Sequence, residues 1–299
     1  MTKRLYNSRI LKIVLFCCGI IFFSCKSTSV SQREFERFEP QSAYFITDIN
    51  DSLPYSSEFE NGKFIFLRFY HITYGKNFRI GNLWRSMLGI MGNAPDGNYY
   101  SHVAINFNLT DNFIGSTMKG KNTIKREKVT DLKSNVFLKT VDASRSSCTV
   151  VAIPCTEVEW ENCKALIEYA QKEDERFAYN LSSAFFMPII YKQNMTKMKK
   201  TDFSGEDALV SVPLEKEPSE YFKDKRSYIC TGFIMKVLSS SIAKIGYEVE
   251  TSGVNINGFL PGDFFYMDGF QKLFTCRFEY YNEAVEEYLT LYPQFREYF

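Results

Sequence analysis

Residues Tyr99 to Leu109 alternate between apolar and polar side chains with a period of two. Val103 and Ile105 belong to the apolar set, whereas His102 belongs to the polar set. This pattern predicts a half-buried strand whose second face is more polar. After a Thr-Asp-Asn turn, Phe113 to Met118 is expected to return as the antiparallel partner of a hairpin.

A second pattern has helical spacing and begins at Tyr228. Its apolar stripe consists of Cys230, Phe233, Ile234, Val237 and Leu238. Cys230 falls in the first turn of this predicted helix, where free N–H groups and partial positive charge favour a thiolate. A thiolate is the nucleophilic form of cysteine. The alternative interpretation is that Cys230 is an inert residue of the core.

Other segments have recognisable patterns. Strands are predicted at Phe64–Phe69 and Thr149–Ile153, helices with amphipathic spacing at Ile80–Ile90 and Val158–Gln171, and an acidic helix around Glu283–Tyr288. The basic, polar stretch Lys119–Lys133 is expected to be a solvated loop or a sheet edge. Lys192–Pro218 has the composition of the least structured interior segment, an insertion or a lid. The aromatic content of 16% favours a sheet-rich core.

The N-terminus has the order of a secretory signal. Lys3 and Arg4 are basic, Ile13–Phe23 is apolar, and the small residue Ser24 precedes Cys25. The apolar run is about half as long as the ~20 residues that a spanning helix needs. The Phe-Phe-Ser-Cys sequence resembles a bacterial lipobox, which implies that Cys25 is lipidated. The alternative is an ordinary signal peptide or an uncleaved anchor, with Cys25 incidental.

These patterns divide the chain into three expected parts. Residues 1–24 are the lipoprotein signal peptide, and residues 25–62 are a lipidated N-terminus and polar tether with some extended structure at Tyr44–Ile46. Residues 63–299 are the folded domain.

Outside the signal peptide and the expected lipidation site, the cysteines of the chain are Cys148, Cys155, Cys163, Cys230 and Cys276. An odd number of cysteines in an exported protein leaves at least one thiol unpaired.

The charge balance argues against some functions. The chain has 36 Lys and Arg residues against 35 Asp and Glu residues, so there is no electrostatic basis for binding nucleic acid. It has only 2 His residues and no C-x-x-C pair, so a metal site is not expected. No cofactor is expected either.

The His and Cys segments together are similar to a known family. Three stretches, Tyr100–Ile105, Ile114–Thr117 and Tyr228–Ile234, resemble the circularly permuted, NlpC-type branch of papain-fold cysteine hydrolases. That branch includes the YiiX-like amidases and peptidases and, more distantly, the lecithin–retinol acyltransferase group. The resemblance implies an α+β, permuted papain-like fold, with an antiparallel sheet packed against a helix that bears the nucleophile. Cys230 would be that nucleophile and His102 its base.

The resemblance is incomplete at the third catalytic position. Family members carry a polar residue, often Glu or His, on the strand after the His strand, where it orients the imidazole. The matching stretch here offers only Gly115, Ser116 and Thr117. Ser116 is the best candidate, because a hydroxyl can accept a hydrogen bond from the ring N–H. The sequence therefore predicts a site without an orienting carboxylate.

The expected function is that of a lipoprotein of the bacterial cell envelope, held to a membrane by its N-terminal lipid. It would act as a cysteine amidase or peptidase on the amide bonds of a peptide or acyl-amide substrate, cell-wall peptides included. One alternative is a non-catalytic binding lipoprotein with a papain fold. Another is a lipid acyl hydrolase or acyltransferase, since an aromatic groove also accepts acyl chains. The sequence leaves the oligomeric state open.

Overall fold

A seven-stranded antiparallel sheet forms the centre of a mixed α+β fold in the computed structural model. The structure describes residues 44–47, 63–72, 100–117, 123–130, 146–198, 214, 216–223, 227–266 and 270–299. The strands of the sheet are β1 (Tyr44–Ile46), β2 (Lys63–His71), β3 (His102–Asn106), β4 (Phe113–Ser116), β5 (Ile124–Glu127), β6 (Ser147–Cys155) and β9 (Gln271–Arg277). Their order is β1-β9-β6-β2-β3-β4-β5. A small parallel pair is formed by β7 (Ala178–Tyr179) and β8 (Ser227–Tyr228).

Helices cover both faces of the sheet. Those in the described segments are α1 (Glu157–Lys172), α2 (Leu181–Phe185), α3 (Met187–Met198), α4 (Pro218–Tyr221), α5 (Cys230–Ser241), α6 (Ala243–Ser252) and α7 (Tyr281–Leu291). Short 3-10 helices span Asp174–Arg176, Ile256–Gly258, Pro261–Tyr266, Phe278–Tyr280 and Pro293–Tyr298. None of the helices in these segments has the length and apolar character needed to cross a bilayer.

The core has two layers because β2 alternates between two apolar faces. Leu67 and Phe69 join the cluster that α1 and α5 cover. Phe66 and Tyr70 join the cluster that α7 and the C-terminal 3-10 helix cover. Both faces of the central strands are therefore buried, and a polar side chain placed there must find its partners inside the protein.

A capping box starts α1. The Thr156 hydroxyl accepts a hydrogen bond from the Glu159 N–H at 3.2 Å, and the Glu159 carboxylate accepts one from the Thr156 N–H at 3.0 Å. The second oxygen of Glu159 accepts the Ala243 N–H at 3.0 Å. One acidic side chain thus ties the start of α1 to the start of α6.

Several sequence predictions are confirmed. Strands β3 and β4 pair as an antiparallel hairpin, with Ile105 opposite Ile114. The helix predicted at Val158–Gln171 is α1, and the helix predicted to carry Cys230 near its start is α5. This helix packs against β3 and β4.

Two predictions about burial and order are corrected. Strand β3 is buried along its whole length and is not half-exposed, because the second core layer covers the face on which Ala104 lies. The segment Lys192–Pro218 begins in regular structure, since α3 continues to Met198. The composition of Lys192–Pro218 had suggested the least structured interior segment, but helical hydrogen bonds satisfy the backbone in its first residues.

The expected N-terminal division lies mostly outside the described residues. Neither the signal peptide (1–24) nor Cys25 falls within them, and the same holds for the helix predicted at Ile80–Ile90. Within the expected tether (25–62), the extended segment at Tyr44–Ile46 is strand β1, which pairs with β9. The sheet therefore contains residues that precede the expected domain start at residue 63.

Candidate active site

His102 is the first residue of strand β3. Its Cα partner across the sheet is Tyr70 of β2, and the two rings lie 5.1 Å apart between centroids. The His102 residue is only 4% exposed. A buried imidazole needs a hydrogen-bond partner for each ring nitrogen.

Glu127 supplies one of those partners. It is the last residue of the edge strand β5, and its carboxylate oxygens lie 2.8 and 3.0 Å from His102 Nε2. The side chain of Glu127 is 1% exposed. Gly115 of β4 leaves the space for this contact, because a Cβ at that position would lie 2.5 Å from Glu127 Oε1 and 3.1 Å from His102 Nε2.

Cys230 supplies the other partner. It is the first residue of α5, is 8% exposed, and its side chain is hydrogen bonded to the His102 ring. Because Glu127 contacts Nε2, Nδ1 is the nitrogen left to face the thiol. The structure therefore brings together the His and the Cys that the sequence had singled out, and it adds a carboxylate behind the ring.

The electrostatics of this chain favour a protonated His102. Burial by itself lowers the pKa of His102, but the charges of Glu127 and of a Cys230 thiolate, with their hydrogen bonds, raise it from 6.5 to about 10. At neutral pH the imidazole is then protonated, with the Glu127 carboxylate on one side and the Cys230 side chain on the other. An imidazolium next to Cys230 is the arrangement that supports a thiolate.

The start of α5 is fixed by Asn257 and Phe259. Asn257 is completely buried, and its Oδ1 accepts the Ile229 N–H at 3.2 Å. Gly232 allows this approach, since a Cβ there would lie 2.0 Å from the same oxygen. The Thr231 hydroxyl donates to the Phe259 carbonyl at 2.7 Å. The Thr-Gly pair after Cys230 thus positions the helix.

Ser116, the predicted orienting residue, has a different contact. Its hydroxyl donates to the Tyr228 carbonyl at 3.4 Å, and the same carbonyl accepts the Asn180 N–H at 3.0 Å. Ser116 therefore binds the segment that leads into Cys230. The contact with the imidazole ring belongs to Glu127 and not to Ser116, so the expectation of a site without a carboxylate is wrong.

A second layer of polar residues holds Glu127. Arg68 of β2 is completely buried, and its Nη2 donates to the Glu127 carbonyl at 2.8 Å. Its Nη1 forms an ion pair with Asp111. Asp111 also accepts the Val129 N–H at 2.9 Å and the Thr130 N–H at 2.8 Å. These contacts bind Glu127 and the residues that follow it to the centre of the sheet.

Sequence reasoning missed Glu127 because the stretch around it is polar throughout. Of the four residues of β5, Lys125 is half-buried and Arg126 is exposed, and the strand is too short to show a pattern. One signal was present: Arg68 is a lone charge in the apolar run Phe64–Phe69. A charge inside a buried strand requires buried polar partners.

Comparisons of the chain with protein-family models, with curated proteins and with solved structures find no match. The description of the site therefore depends on its own geometry. Within the described ranges, no group of three or more His, Cys, Asp or Glu residues is placed to hold a metal ion. What the site does contain is a carboxylate, an imidazole and a thiol in contact, in that order.

Proposed function

We propose that this protein is a cysteine hydrolase with a permuted papain-like fold, anchored in the bacterial envelope through a lipid on Cys25. The observation that carries the catalytic part is the chain of contacts from Glu127 to His102 to Cys230. A carboxylate that orients an imidazole, which in turn contacts a nucleophile, is the arrangement that acyl transfer requires. The three groups come from the edge strand β5, the strand β3 and the start of α5.

The proposed reaction divides the work among these residues. The Cys230 thiolate attacks the carbonyl carbon of an amide, and a C–S bond forms while the carbonyl oxygen takes the negative charge. When the C–N bond breaks, the leaving amine takes its proton from the His102 imidazolium. Water then attacks the thioester carbonyl and gives a proton to His102. The C–S bond breaks, which releases the carboxylic acid and regenerates the Cys230 thiolate beside the protonated imidazole. The free N–H groups at the start of α5 are suited to stabilise the oxyanion.

Glu127 has the role of holding the ring. Its contact with Nε2 fixes the tautomer that leaves Nδ1 for the thiol, and its charge stabilises the imidazolium. The non-catalytic alternative, a binding lipoprotein with the same fold, depended on the lack of an orienting carboxylate. Glu127 removes that argument. Peptide amide bonds of the envelope are the proposed substrate class, on the basis of the expected location.

Acylation by an activated ester tests the proposal without knowledge of the natural substrate. The purified protein is mixed with p-nitrophenyl acetate, and both the burst of p-nitrophenol and the acetylated peptide are measured. We expect one burst equivalent and an acetyl group on Cys230. The burst should disappear in Cys230→Ser and His102→Ala, and it should persist in the control Cys155→Ser. An equal burst from Cys230→Ser would contradict the proposal.

A further inference from the structure

Cys148 and Cys276 form a pair of thiols that the proposed reaction does not use. They are directly opposite each other on the neighbouring strands β6 and β9. Their sulfur atoms lie 3.7 Å apart, and both residues are completely buried. A disulfide needs a sulfur–sulfur distance of about 2.05 Å and Cβ atoms roughly 3.8 Å apart, so a small closure of this strand pair is sufficient.

We propose that Cys148 and Cys276 form a structural disulfide when the protein folds in an oxidising compartment. The bond would tie β9 to β6 across a sequence separation of 128 residues. Strand β1 and helix α7 both pack on β9, so the bond would fix the whole C-terminal part of the fold to the centre of the sheet. Bonds that close long loops constrain the unfolded chain most.

The chemistry is a thiol–disulfide exchange with a disulfide-bearing oxidant, either a protein or a small molecule. One cysteine, as thiolate, attacks the disulfide of the oxidant, forms a mixed disulfide and releases one thiol. The second cysteine attacks the mixed disulfide, closes the Cys148–Cys276 bond and releases the second thiol. Two protein thiols are oxidised and one oxidant disulfide is reduced. Because both sulfurs are buried in the fold, the exchange belongs to the folding process.

This bond would also determine which cysteines of the exported chain keep a free thiol. With Cys148 paired to Cys276, the thiols that remain among the described residues are those of Cys155, Cys163 and Cys230. Burial raises the pKa of Cys155 above its usual range and that of Cys163 to about 12, so neither is a competitor for the catalytic role. Cys230 remains as the thiol with an imidazole beside it.

Oxidative refolding tests the pair and does not depend on the proposed enzyme activity. The protein is reduced, unfolded and refolded in a glutathione redox buffer, then unfolded in the presence of N-ethylmaleimide and digested. We expect a linked peptide that joins Cys148 to Cys276, and Tm lower by about 5–10 °C after reduction. Cys148→Ser should lose this sensitivity to reductant, whereas Cys163→Ser should keep it. Maleimide on both Cys148 and Cys276, or a link between another pair, would overturn the proposal.

A different set of contacts concerns Tyr70, which lies between Arg68 and Glu127. Its hydroxyl accepts a hydrogen bond from Arg68 Nε at 2.9 Å, so its own proton is left to donate. The Glu127 carboxylate is the partner of that hydroxyl. Burial, together with the negative charge of Glu127, raises the pKa of Tyr70 well above 10, which keeps the donor protonated.

From this arrangement we infer that Tyr70 is a positioning residue for the proposed reaction, acting through Glu127. Its hydroxyl fixes one oxygen of the carboxylate, and its ring packs against the ring of His102 at 5.1 Å. Arg68 holds the Tyr70 hydroxyl on one side and the Glu127 backbone on the other. The orientation of the carboxylate is therefore set by two groups of β2 and not by solvent.

The test compares Tyr70→Phe with Tyr281→Phe. Tyr281 is equally buried, its ring lies 5.2 Å from the Arg68 guanidinium, and its hydroxyl donates to the Leu109 carbonyl at 3.0 Å, away from the site. The readout is the pH profile of Cys230 acylation. We expect Tyr70→Phe to lower the rate about tenfold, the value of one hydrogen bond to a charged group, and to move the alkaline limb to lower pH. Tyr281→Phe should leave the profile unchanged.

This inference rests on the proposed function, but different results would contradict the role of Tyr70 and the proposed function itself. If Glu127→Gln changes the profile while Tyr70→Phe does not, the role of Tyr70 is wrong and the catalytic site stands. An equal effect of Tyr70→Phe and Tyr281→Phe also overturns the role, because it shows a general loss of packing. If neither Glu127→Gln nor His102→Ala affects acylation, the proposed function itself is wrong.

Discussion

The imidazole of His102 meets the carboxylate of Glu127 at 2.8 Å, although the two residues are 25 positions apart in the sequence. The contact joins the first residue of β3 to the last residue of the edge strand β5, across β4. It is possible only because Gly115 of β4 has no side chain. The proposed roles of His102 and Glu127 next to Cys230 are based on this contact.

The first prediction concerns the charge of Glu127. Glu127→Gln keeps the shape of the side chain but removes the charge that raises the pKa of His102 to about 10. We expect acylation of Cys230 to fall by about 10- to 100-fold. The chain has only 2 His residues, so NMR titration can follow His102 directly, and its pKa should be lower in the variant. Glu159→Gln is the control, because Glu159 is a buried carboxylate whose contacts do not include His102. It should leave the acylation of Cys230 and the pKa of His102 unchanged.

The second prediction concerns the space at Gly115. In Gly115→Ala the new Cβ would lie 2.5 Å from Glu127 Oε1, which is the far end of a flexible side chain. The carboxylate is therefore expected to move away while the strand remains folded. Acylation should fall about as much as in Glu127→Gln, and the free energy of unfolding should change by less than about 1 kcal/mol. Urea unfolding measures the change in stability, and the burst assay measures the acylation. Retained acylation would show that the carboxylate contact is dispensable.

Gly232 gives a contrasting case for the same substitution. A Cβ there would lie 2.0 Å from Asn257 Oδ1 and 3.2 Å from the Asn257 Cα, so the backbone as well as the side chain must shift. The Gly232→Ala variant serves as the comparison for Gly115→Ala in urea unfolding. We expect it to lose about 1–3 kcal/mol of stability.

The third prediction concerns Asp263, a buried carboxyl in the 3-10 helix Pro261–Tyr266. Burial raises its pKa from 3.8 to about 7, although hydrogen bonds from the Leu260 N–H and the Tyr191 hydroxyl oppose the shift. The fold therefore favours the protonated form. Its contribution to stability is present below the unfolded pKa of 3.8 and is lost as pH rises toward 7.

Asp263→Asn cannot ionise and keeps an oxygen for the Leu260 N–H. We expect the variant and the wild type to have similar stability near pH 4, and the variant to gain on the wild type by up to about 3 kcal/mol above pH 7. Urea unfolding at a series of pH values measures this difference. A difference that does not depend on pH would show that Asp263 is ionised in the fold throughout.

The fourth prediction concerns the anchor. Cys25→Ala removes the only thiol of the predicted lipobox, so the protein should move from the membrane fraction to the soluble fraction of the envelope. Cys17→Ala, a thiol within the leader, is the matched control and should leave the protein with the membrane. Unchanged retention of Cys25→Ala would rule out lipidation at this residue.

The sequence allowed the prediction of elements with long, regular patterns. The hairpin of β3 and β4 was predictable because a polar turn separates two short segments rich in apolar residues, and the helix over Val158–Gln171 was predictable because burial on one side gives a clear period. The position of Cys230 in the first turn of α5 was predictable for the same reason. The pairing of His102 with Cys230 came from a family resemblance and not from any local pattern.

The part that was not predictable depends on contacts between distant segments. Glu127 is buried because Arg68 and Tyr70 of β2 offer it a charge and a hydroxyl, and neither is near it in sequence. Ser116 was the expected orienting residue because the family resemblance places that residue on the strand next to the one that carries His102. Across a twisted sheet with a glycine in the middle strand, a side chain two strands away is able to contact the ring.

The most direct test of the central claim is the alkylation rate of Cys230 by iodoacetamide, measured at about pH 6 in the folded protein and in the same protein unfolded by urea. Peptide mass spectrometry identifies the alkylated residue. A thiolate supported by the His102 imidazolium should react at least tenfold faster in the folded state than in urea, despite its burial. His102→Ala should abolish this advantage. If folding leaves the rate unchanged or slows it, Cys230 is a buried core thiol and the protein is not a cysteine hydrolase.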